Sequence, residues 1–312
     1  MEKLRNISAS PHIRGGMSTA RIMQLVILAL LPTAVFGIIH FGIRALLHIL
    51  VCVVTCVLTE FTVEAFSDLP LTPGDCSAAV TGFLLALTLP VNAPLWIGAV
   101  GSVFAIVIVK ICFGGLGQNI VNPALAARCF LLISFPGHMT NFTYDAYSGA
   151  TPLAALKAGE IIDPYPLFLG NTAGCIGETS VLAILAGAIM LLALGIINLR
   201  IPLTCMFVFG LVILMFGGRG FDEVYLTAQI CGGGLMLGVW FMATDYTTSP
   251  ITRKGQYIYG AIIGILAALF RILGSGAEGI SYAVLLGNLT VPLIEKVTMP
   301  KAFGRKKKQM MS

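Results

Sequence analysis

Long apolar runs restrict this chain to a small set of folds. A helix that crosses a bilayer takes about 20 mostly apolar residues. Charged residues make up only 11% of the chain, whereas soluble domains carry about 25%. The sequence therefore predicts an all-α, polytopic membrane protein that forms one membrane domain over residues 1–312. Ten runs are candidate membrane helices, roughly at 22–41, 43–66, 77–93, 95–113, 120–136, 179–199, 201–218, 224–243, 256–274 and 277–297.

Two of these runs carry residues that interrupt a helix. The third contains LTLPVNAP at 87–94, and the fifth opens with QNIVNPALAAR at 118–128. Proline lacks a backbone N–H and disfavours the helical region for the residue before it. Non-helical backbone at membrane depth is tolerated only where protein encloses it or a cavity is lined. Both interruptions therefore predict broken helices in the protein interior.

Lysine and arginine residues are distributed unevenly over the two sides that ten crossings define. With the N-terminus in the cytoplasm, thirteen of them lie on the cytoplasmic side and three, Arg44, Lys157 and Arg219, lie on the other. Cytoplasmic loops carry an excess of these residues. The asymmetry predicts that both termini are cytoplasmic and that residues 137–178 form an extracytoplasmic loop. The net charge of +5 comes from residues at membrane edges and indicates no nucleic-acid partner.

A faint internal repeat relates the two halves of the chain. Three residues recur at a spacing of 156, namely Gly82, Thr88 and Pro94 as Gly238, Thr244 and Pro250. Five crossings per half is an odd number, so residues 1–156 and 157–312 are predicted to insert with opposite orientation. In such inverted repeats the site lies near the membrane midplane, between broken helices.

The predicted extracytoplasmic loop contains the small, polar stretch DAYSGATPLAAL at 145–156. Pro152 biases Thr151 away from the helical region, and Ser148, Gly149 and Ala150 leave its hydroxyl uncrowded. One interpretation is a hydroxyl presented for attachment. The other is the start of a helix, with Thr151 as N-cap and Pro152 in the first position. The two are compatible, because a helix N-terminus favours a phosphate.

Five motifs spread along the chain are specific as a set, namely SPHIRGG at 10–16, GDCSAAVTGFLLALTLP at 74–90, FGGLGQNIVNPALAAR at 113–128, SGATPLAAL at 148–156 and GVWFMATDYTTSP at 238–250. Together they resemble the RnfD subunits of Rnf-type ferredoxin:NAD oxidoreductases and the related NqrB subunits of sodium-pumping NADH:quinone reductases. The resemblance covers nearly the whole chain. It implies ten helices in two inverted five-helix halves, in agreement with the topology expected from hydropathy and charge.

In that family the threonine of the SGAT motif carries FMN through a phosphoester bond, which a flavin transferase makes outside the cytoplasm. The matching residue is Thr151, and the resemblance implies that Ser148, Gly149, Ala150 and Pro152 surround the attachment. It also implies a subunit of the bacterial inner membrane that carries electrons between ferredoxin and NAD while Na⁺ or H⁺ is moved outward. A second FMN-carrying subunit and iron–sulfur subunits are the implied partners. Some relatives hold a second, non-covalent riboflavin.

The chain has no GxGxxG motif and no iron–sulfur spacing. NAD and the clusters are therefore predicted to belong to partner subunits. A transporter or channel for a small polar solute, built on the same inverted repeat, is the competing function. Such a protein has no use for a threonine in an SGAT context, which favours the electron-carrying subunit.

Polar residues inside the predicted spans are further candidates for a site, because intramembrane charged groups are often functional. Asn119 and Asn122 offer amides to a flavin ring, and Arg128 needs a partner within its span. The competing interpretation is a helix break with a structurally paired arginine. Glu60 and Glu64, one turn apart on the second run, favour an interfacial, snorkelling pair over an ion site.

Overall fold

The computed structural model describes residues 17–67, 72–142, 152–157, 163–170, 172, 174–274 and 279–300. Every regular element in this part of the chain is helical, which confirms the predicted all-α class. The helices are α1 Thr19–Phe41, α2 Ile43–Phe66, α3 Ser77–Leu87, α4 Leu95–Phe104, α5 Pro123–Ser134, α6 Pro136–Met139, α7 Pro152–Lys157, α8 Pro164–Leu169, α9 Val181–Ala193, α10 Arg200–Phe216, α11 Glu223–Cys231, α12 Leu235–Leu237, α13 Arg253–Leu273 and α14 Ile280–Thr298. α4 and α12 continue as the π-helical segments Ala105–Ile111 and Gly238–Met242, and a 3₁₀ turn, Pro73–Asp75, precedes α3.

Apolar helices dominate the architecture. Within the described residues, α1, α2, α13 and α14 are long and apolar enough to cross a membrane, and α11 with α12 makes a fifth span if this bent pair counts as one. The shorter apolar helices are α3, α4 with its π-helical continuation, α5, α9 and α10. The chain is accordingly a membrane protein, and many large side chains on these helices face outward, as lipid allows.

Several helices begin at a side chain that accepts hydrogen bonds from the first free backbone N–H groups. At α5, Asn122 Oδ1 accepts from Ala124 N at 3.0 Å, and Pro123 holds the first position, where its missing N–H costs nothing. The predicted interruption of the fifth run is therefore confirmed. Within the described residues, a side-chain cap of this kind starts five other helices, with Ser18 at α1, Asp163 at α8, Ser180 at α9, Asp222 at α11 and Thr252 at α13.

The interruption predicted in the third run is also confirmed. α3 ends at Leu87, and Thr88 Oγ1 donates back to Leu85 O at 2.7 Å. Residues 88–94 are non-helical, although Thr88 and Leu89 are fully buried. This backbone is therefore enclosed by protein, as non-helical backbone in a membrane must be.

A third interruption, which the apolar run at 224–243 did not predict, separates α11 from α12. The two helices are bent by 62° at three consecutive glycines, Gly232, Gly233 and Gly234. The last two have φ angles of 64° and 65°, which glycine adopts without the steric cost of a Cβ. We call residues 232–234 the glycine break.

α2 and α4 run parallel and pack closely. Ser102 Oγ donates to Cys52 O at 3.3 Å, and two turns later Lys110 donates to Glu60. A Cβ on Gly98 would lie 2.9 Å from Cys52 Sγ. Small residues allow helices in a membrane to approach one another, so Gly98 contributes to the spacing of this pair.

α10 and α13 form a second parallel pair. Near their starts, Arg200 Nη1 donates to Gln256 Oε1 at 2.9 Å. Further along, a Cβ on Gly264 would lie 2.6 Å from Cys205 O. The absence of a side chain at Gly264 therefore sets how closely the two backbones approach.

We expect Gly264→Leu to separate α10 from α13 and to lower the free energy of unfolding by about 1–3 kcal/mol or more, the usual cost of overpacking. The measurement is the midpoint of SDS-induced unfolding in mixed micelles. Leu269→Ala, on the more exposed side of the same helix, is the control and should leave the midpoint nearly unchanged. Equal midpoints for Gly264→Leu and the unmodified protein would contradict this packing.

The interval predicted as an extracytoplasmic loop, residues 137–178, is not loop throughout. It includes part of α6 and all of α7 and α8, and its end enters the protein core. Ile176 N donates to Leu89 O at 3.2 Å, and Gly177 N donates to Leu87 O at 2.7 Å. Cys175 and Ile176 are almost fully buried. The end of the interval is therefore held against the broken end of α3.

Candidate functional site

The SGAT motif lies outside the described residues. Ser148, Gly149, Ala150 and Thr151 are not described, and Pro152 is the first residue of α7. Residues 152–157 are helical, in agreement with the helix predicted in this stretch. Thr151 is bonded directly to Pro152, so the surroundings of α7 are the described part of the candidate attachment site.

α7 rests on the glycine break through its apolar face. Leu153 and Leu156 are each only 4% exposed, and positions three residues apart lie on one side of a helix. A Cβ on Gly232 would lie 3.2 Å from Leu153 Cδ2, and a Cβ on Gly233 would collide with Leu153 Cδ1. The missing side chains of the break thus provide the room that Leu153 occupies.

A buried arginine holds the glycine break in place. Arg271, at the end of α13, is 4% exposed. Its Nη2 donates to Gly232 O at 2.6 Å and to Gly233 O at 3.2 Å, and its Nη1 donates to the backbone oxygen of Gln229. These are carbonyl groups that the interrupted helix leaves without intrahelical partners. A cation at this end also complements the helix dipole.

A second buried arginine ties the end of the interval to the same break. Arg128 Nη1 lies 2.9 Å from Glu178 Oε1, and Arg128 Nη2 donates to Cys175 Sγ at 3.5 Å. Glu178 is so close to Gly234 that a Cβ there would collide with its carboxylate. The predicted need of Arg128 for a partner is therefore confirmed, and the partner comes from the interval.

A cavity of about 260 Å³ adjoins α7 at the end of the bundle where α10 and α13 finish. It is lined by Leu156, Ile213, Gly217, Gly218, Arg219, Tyr225, Gln229, Arg271 and Ile272. The Arg219 guanidinium lies 5.3 Å from the centre of the Tyr225 ring. A cavity of about 150 Å³ admits one benzene ring. The cavity thus offers a cation, an aromatic ring and apolar walls, which are the groups that could hold a phosphate and part of an aromatic ring system.

A cleft with mostly apolar walls and a few polar side chains opens at the opposite end, where α1 begins and α9 ends. Its lining includes Ser77, Thr81, Lys110, Asn119, Asn122 and Asp245. Both asparagines are buried. Asn122 caps α5 and donates to Met242 O at 3.5 Å, whereas Asn119 Oδ1 accepts no hydrogen bond from the described protein.

The cleft is narrow and brings together two of the three residues predicted to contact a flavin. Its volume is about 70 Å³, less than half of the roughly 150 Å³ that admits a single benzene ring. Asn119 and Asn122 face it, but Arg128 pairs with Glu178 instead and is not among the residues that line it. The non-covalent riboflavin stays a prediction.

A buried charged cluster lies beside the cleft. Lys110 donates to Glu60 and to Ser77, and the side chains of Lys110 and Glu60 are almost fully buried. Glu60 is therefore not the snorkelling side chain that its position predicted. Glu64 accepts from Thr72 N at 2.8 Å.

Asp245 lies in the connection between the π-helical segment and α13. Its carboxylate accepts from Thr247 N at 3.2 Å, from Thr247 Oγ1 at 2.8 Å and from Thr248 Oγ1 at 3.3 Å. Desolvation raises the pKa of this carboxyl above its usual value, and the three hydrogen bonds oppose the rise. The hydrogen bonds hold the carboxylate in the cleft wall.

Comparison with known proteins identifies the family. The sequence pattern of the NQR2, RnfD, RnfE family matches residues 6–304. The chain belongs to this family. One similar protein is the D-type subunit of the Na⁺-translocating ferredoxin:NAD⁺ oxidoreductase complex of Acetobacterium woodii. It is 50% identical to this chain over 96% of this chain and 95% of its own length.

Two further relatives in the family are also similar from end to end. The D-type subunit of the proton-translocating ferredoxin:NAD⁺ oxidoreductase complex of Clostridium ljungdahlii is 40% identical over 96% of each chain. The D-type subunit of the ion-translocating oxidoreductase complex of Escherichia fergusonii is 35% identical over 96% of this chain and 99% of that one. The names of these relatives differ in the ion, so membership in the family does not decide between Na⁺ and H⁺.

The sequence did not predict the two buried ion pairs in the described part of this chain. Glu178, the partner of Arg128, lies 50 residues further along the chain. Lys110 and Glu60 are likewise 50 residues apart. Charge balance predicted that Arg128 needs a partner, since a cation inside an apolar run requires an anion in reach, but it does not identify which distant carboxylate serves.

Proposed function

We propose that this chain is the RnfD-type subunit of an ion-translocating ferredoxin:NAD oxidoreductase complex and that it carries electrons through FMN joined covalently to Thr151. The observation that carries the proposal is the end-to-end similarity to the D-type subunits of such complexes in three organisms. The SGAT motif and the cavity beside α7 support the position of the flavin.

FMN, when bound, supplies one- and two-electron redox chemistry, and the protein supplies position and electrostatics. Thr151 Oγ is the atom for the phosphoester, with Ser148, Gly149 and Ala150 leaving it accessible. Arg219 offers positive charge beside α7 to the phosphodiester. The residues of this chain thus hold and orient the flavin.

The proposed partners follow from this role. They are a second FMN-carrying subunit, iron–sulfur subunits of the same complex, the flavin transferase and the lipid bilayer. The site of action is the bacterial inner membrane, with ten helices in two inverted halves and both termini in the cytoplasm. The parallel pairs α2 with α4 and α10 with α13 support two similar halves, because each joins the second to the fourth candidate span of its half.

A transporter or channel on this fold would require a path between the cleft and the cavity at opposite ends of the bundle. The broken end of α3 lies in the core instead. Leu87, Leu89 and Ile176 are fully buried. The backbone N–H groups of Ile176 and Gly177 donate to Leu89 O and Leu87 O. This packing favours the electron-carrying function.

The orientation is tested by labelling single cysteines in a background without the eight native ones. We expect Glu160→Cys to react with a membrane-impermeant maleimide in intact cells and Arg305→Cys to react only after permeabilisation. The reason is the excess of lysine and arginine on the proposed cytoplasmic side. Protection of residue 160 in intact cells would overturn the orientation and place Thr151 on the wrong side for the transferase.

A further inference from the structure

We propose that the glycine break, residues 232–234, is the docking site that positions the flavin-bearing helix α7, with Leu153 as the positioning residue. This rests on the proposed attachment of FMN at Thr151. The two observations that carry it are the seating of Leu153 against Gly232 and Gly233 and the position of α7 directly after residue 151.

α7 cannot define its own position. It has six residues, and isolated helices shorter than about 12–15 residues are marginal in water. Its order must therefore come from contacts with the rest of the protein. Leu153 and Leu156 are its two side chains shown to be buried, and Leu153 is the one that lies in the break.

The break accepts Leu153 because it lacks side chains there. Gly233 and Gly234 have left-handed φ angles of 64° and 65°, which residues with a Cβ rarely adopt. A Cβ on Gly233 would occupy the space of Leu153 Cδ1. Both the left-handed backbone conformation and the contact with Leu153 therefore require glycine at residue 233.

The docking site is rigidly connected to the helix bundle. Arg271 on α13 donates to Gly232 O and Gly233 O, and its guanidinium lies 5.1 Å from the centre of the Phe209 ring on α10. Gly234 is packed against Glu178, which pairs with Arg128 on α5. A helix seated on this break is therefore fixed relative to three helices of the core.

The test is Leu153→Ala in the complete complex, read out by three measurements. We expect the denatured band to remain fluorescent, because attachment needs only the motif. We expect lower fluorescence anisotropy of the bound flavin in the native complex, and a fall in ferredoxin-to-NAD turnover of roughly tenfold or more. Misplacing a reacting group by about 1 Å already costs on the order of a hundredfold.

Two variants control for loss of packing alone. Leu153→Met keeps the volume and should restore both anisotropy and turnover. Leu167→Ala removes an equally buried leucine from α8, in the same interval, and should change neither. An equal loss in Leu167→Ala would show general loosening and overturn the proposal, as would unchanged anisotropy and turnover in Leu153→Ala.

The outcome separates this proposal from the proposed function. A dark band from the unmodified protein refutes the attachment itself. A fluorescent unmodified band with a dark Leu153→Ala band overturns the docking role, because Leu153 would then serve recognition by the transferase. Gly233→Ala provides the reciprocal test. It should lower turnover by itself, because the added methyl group would strain the backbone and occupy the space of Leu153, and adding Leu153→Ala should lower turnover no further, since Leu153 is then already displaced.

Discussion

Replacing Thr151 by valine is expected to give a subunit that assembles into its complex but carries no covalent flavin. Valine keeps the branched shape and removes only the oxygen that the phosphate must join. Folding should survive, apart from about 1 kcal/mol if the hydroxyl also caps α7. On a denaturing gel the unmodified band should fluoresce and the Thr151→Val band should be dark. Ferredoxin-to-NAD turnover should be lost.

Two further substitutions make this result specific. Thr151→Ser keeps an oxygen and should accept the flavin more slowly. Thr140→Val removes a hydroxyl from the same interval, one that donates to Pro136 O at 2.8 Å, and should leave the band as fluorescent as before. A fluorescent Thr151→Val band would mean that the flavin is attached elsewhere. A dark unmodified band, from a host with the flavin transferase, would return the chain to the transporter hypothesis.

Arg128→Met is expected to have the largest effect on stability. Arg128 is 2% exposed and pairs with Glu178 at 2.9 Å, so its removal leaves a buried carboxylate without its cation. Breaking a buried pair in this way costs about 3–5 kcal/mol. The midpoint of SDS-induced unfolding should fall accordingly, and little complex should assemble at the growth temperature.

A double variant distinguishes the lost ion pair from lost packing. Arg128→Met combined with Glu178→Gln removes both charges, and it should recover part of the stability that Arg128→Met loses. Arg253→Met removes an exposed arginine and should change the midpoint very little. If the double variant is no more stable than Arg128→Met, the charge of Glu178 is not what destabilises the single variant.

Local chemistry explains which parts of the fold were predictable. The start of α5 follows from Asn122 as a cap and Pro123 in the first position, and the end of α3 follows from the proline-rich stretch after Leu87. A helix over residues 152–157 was predicted from the same principles. Each of these depends on residues that are neighbours in the sequence.

The unpredicted features depend on residues far apart in the chain. The glycine break was missed because glycine does not interrupt an apolar run, and its bend is stabilised by Arg271, about 40 residues away. The insertion of Ile176 and Gly177 beside α3 was missed because polar neighbours made the interval resemble an exposed loop. The flavin attachment at Thr151 was inferred from resemblance and stays a prediction.

The order of the elements along the chain sets a sequence of events during synthesis. α7 ends at Lys157, and Gly232 follows 75 residues later. At translation rates of about 5–20 residues per second, roughly 4–15 s pass between them. During that time the nascent chain contains the threonine but not the surface on which its helix will rest. An enzyme that modifies Thr151 therefore has a period of access before the glycine break is made.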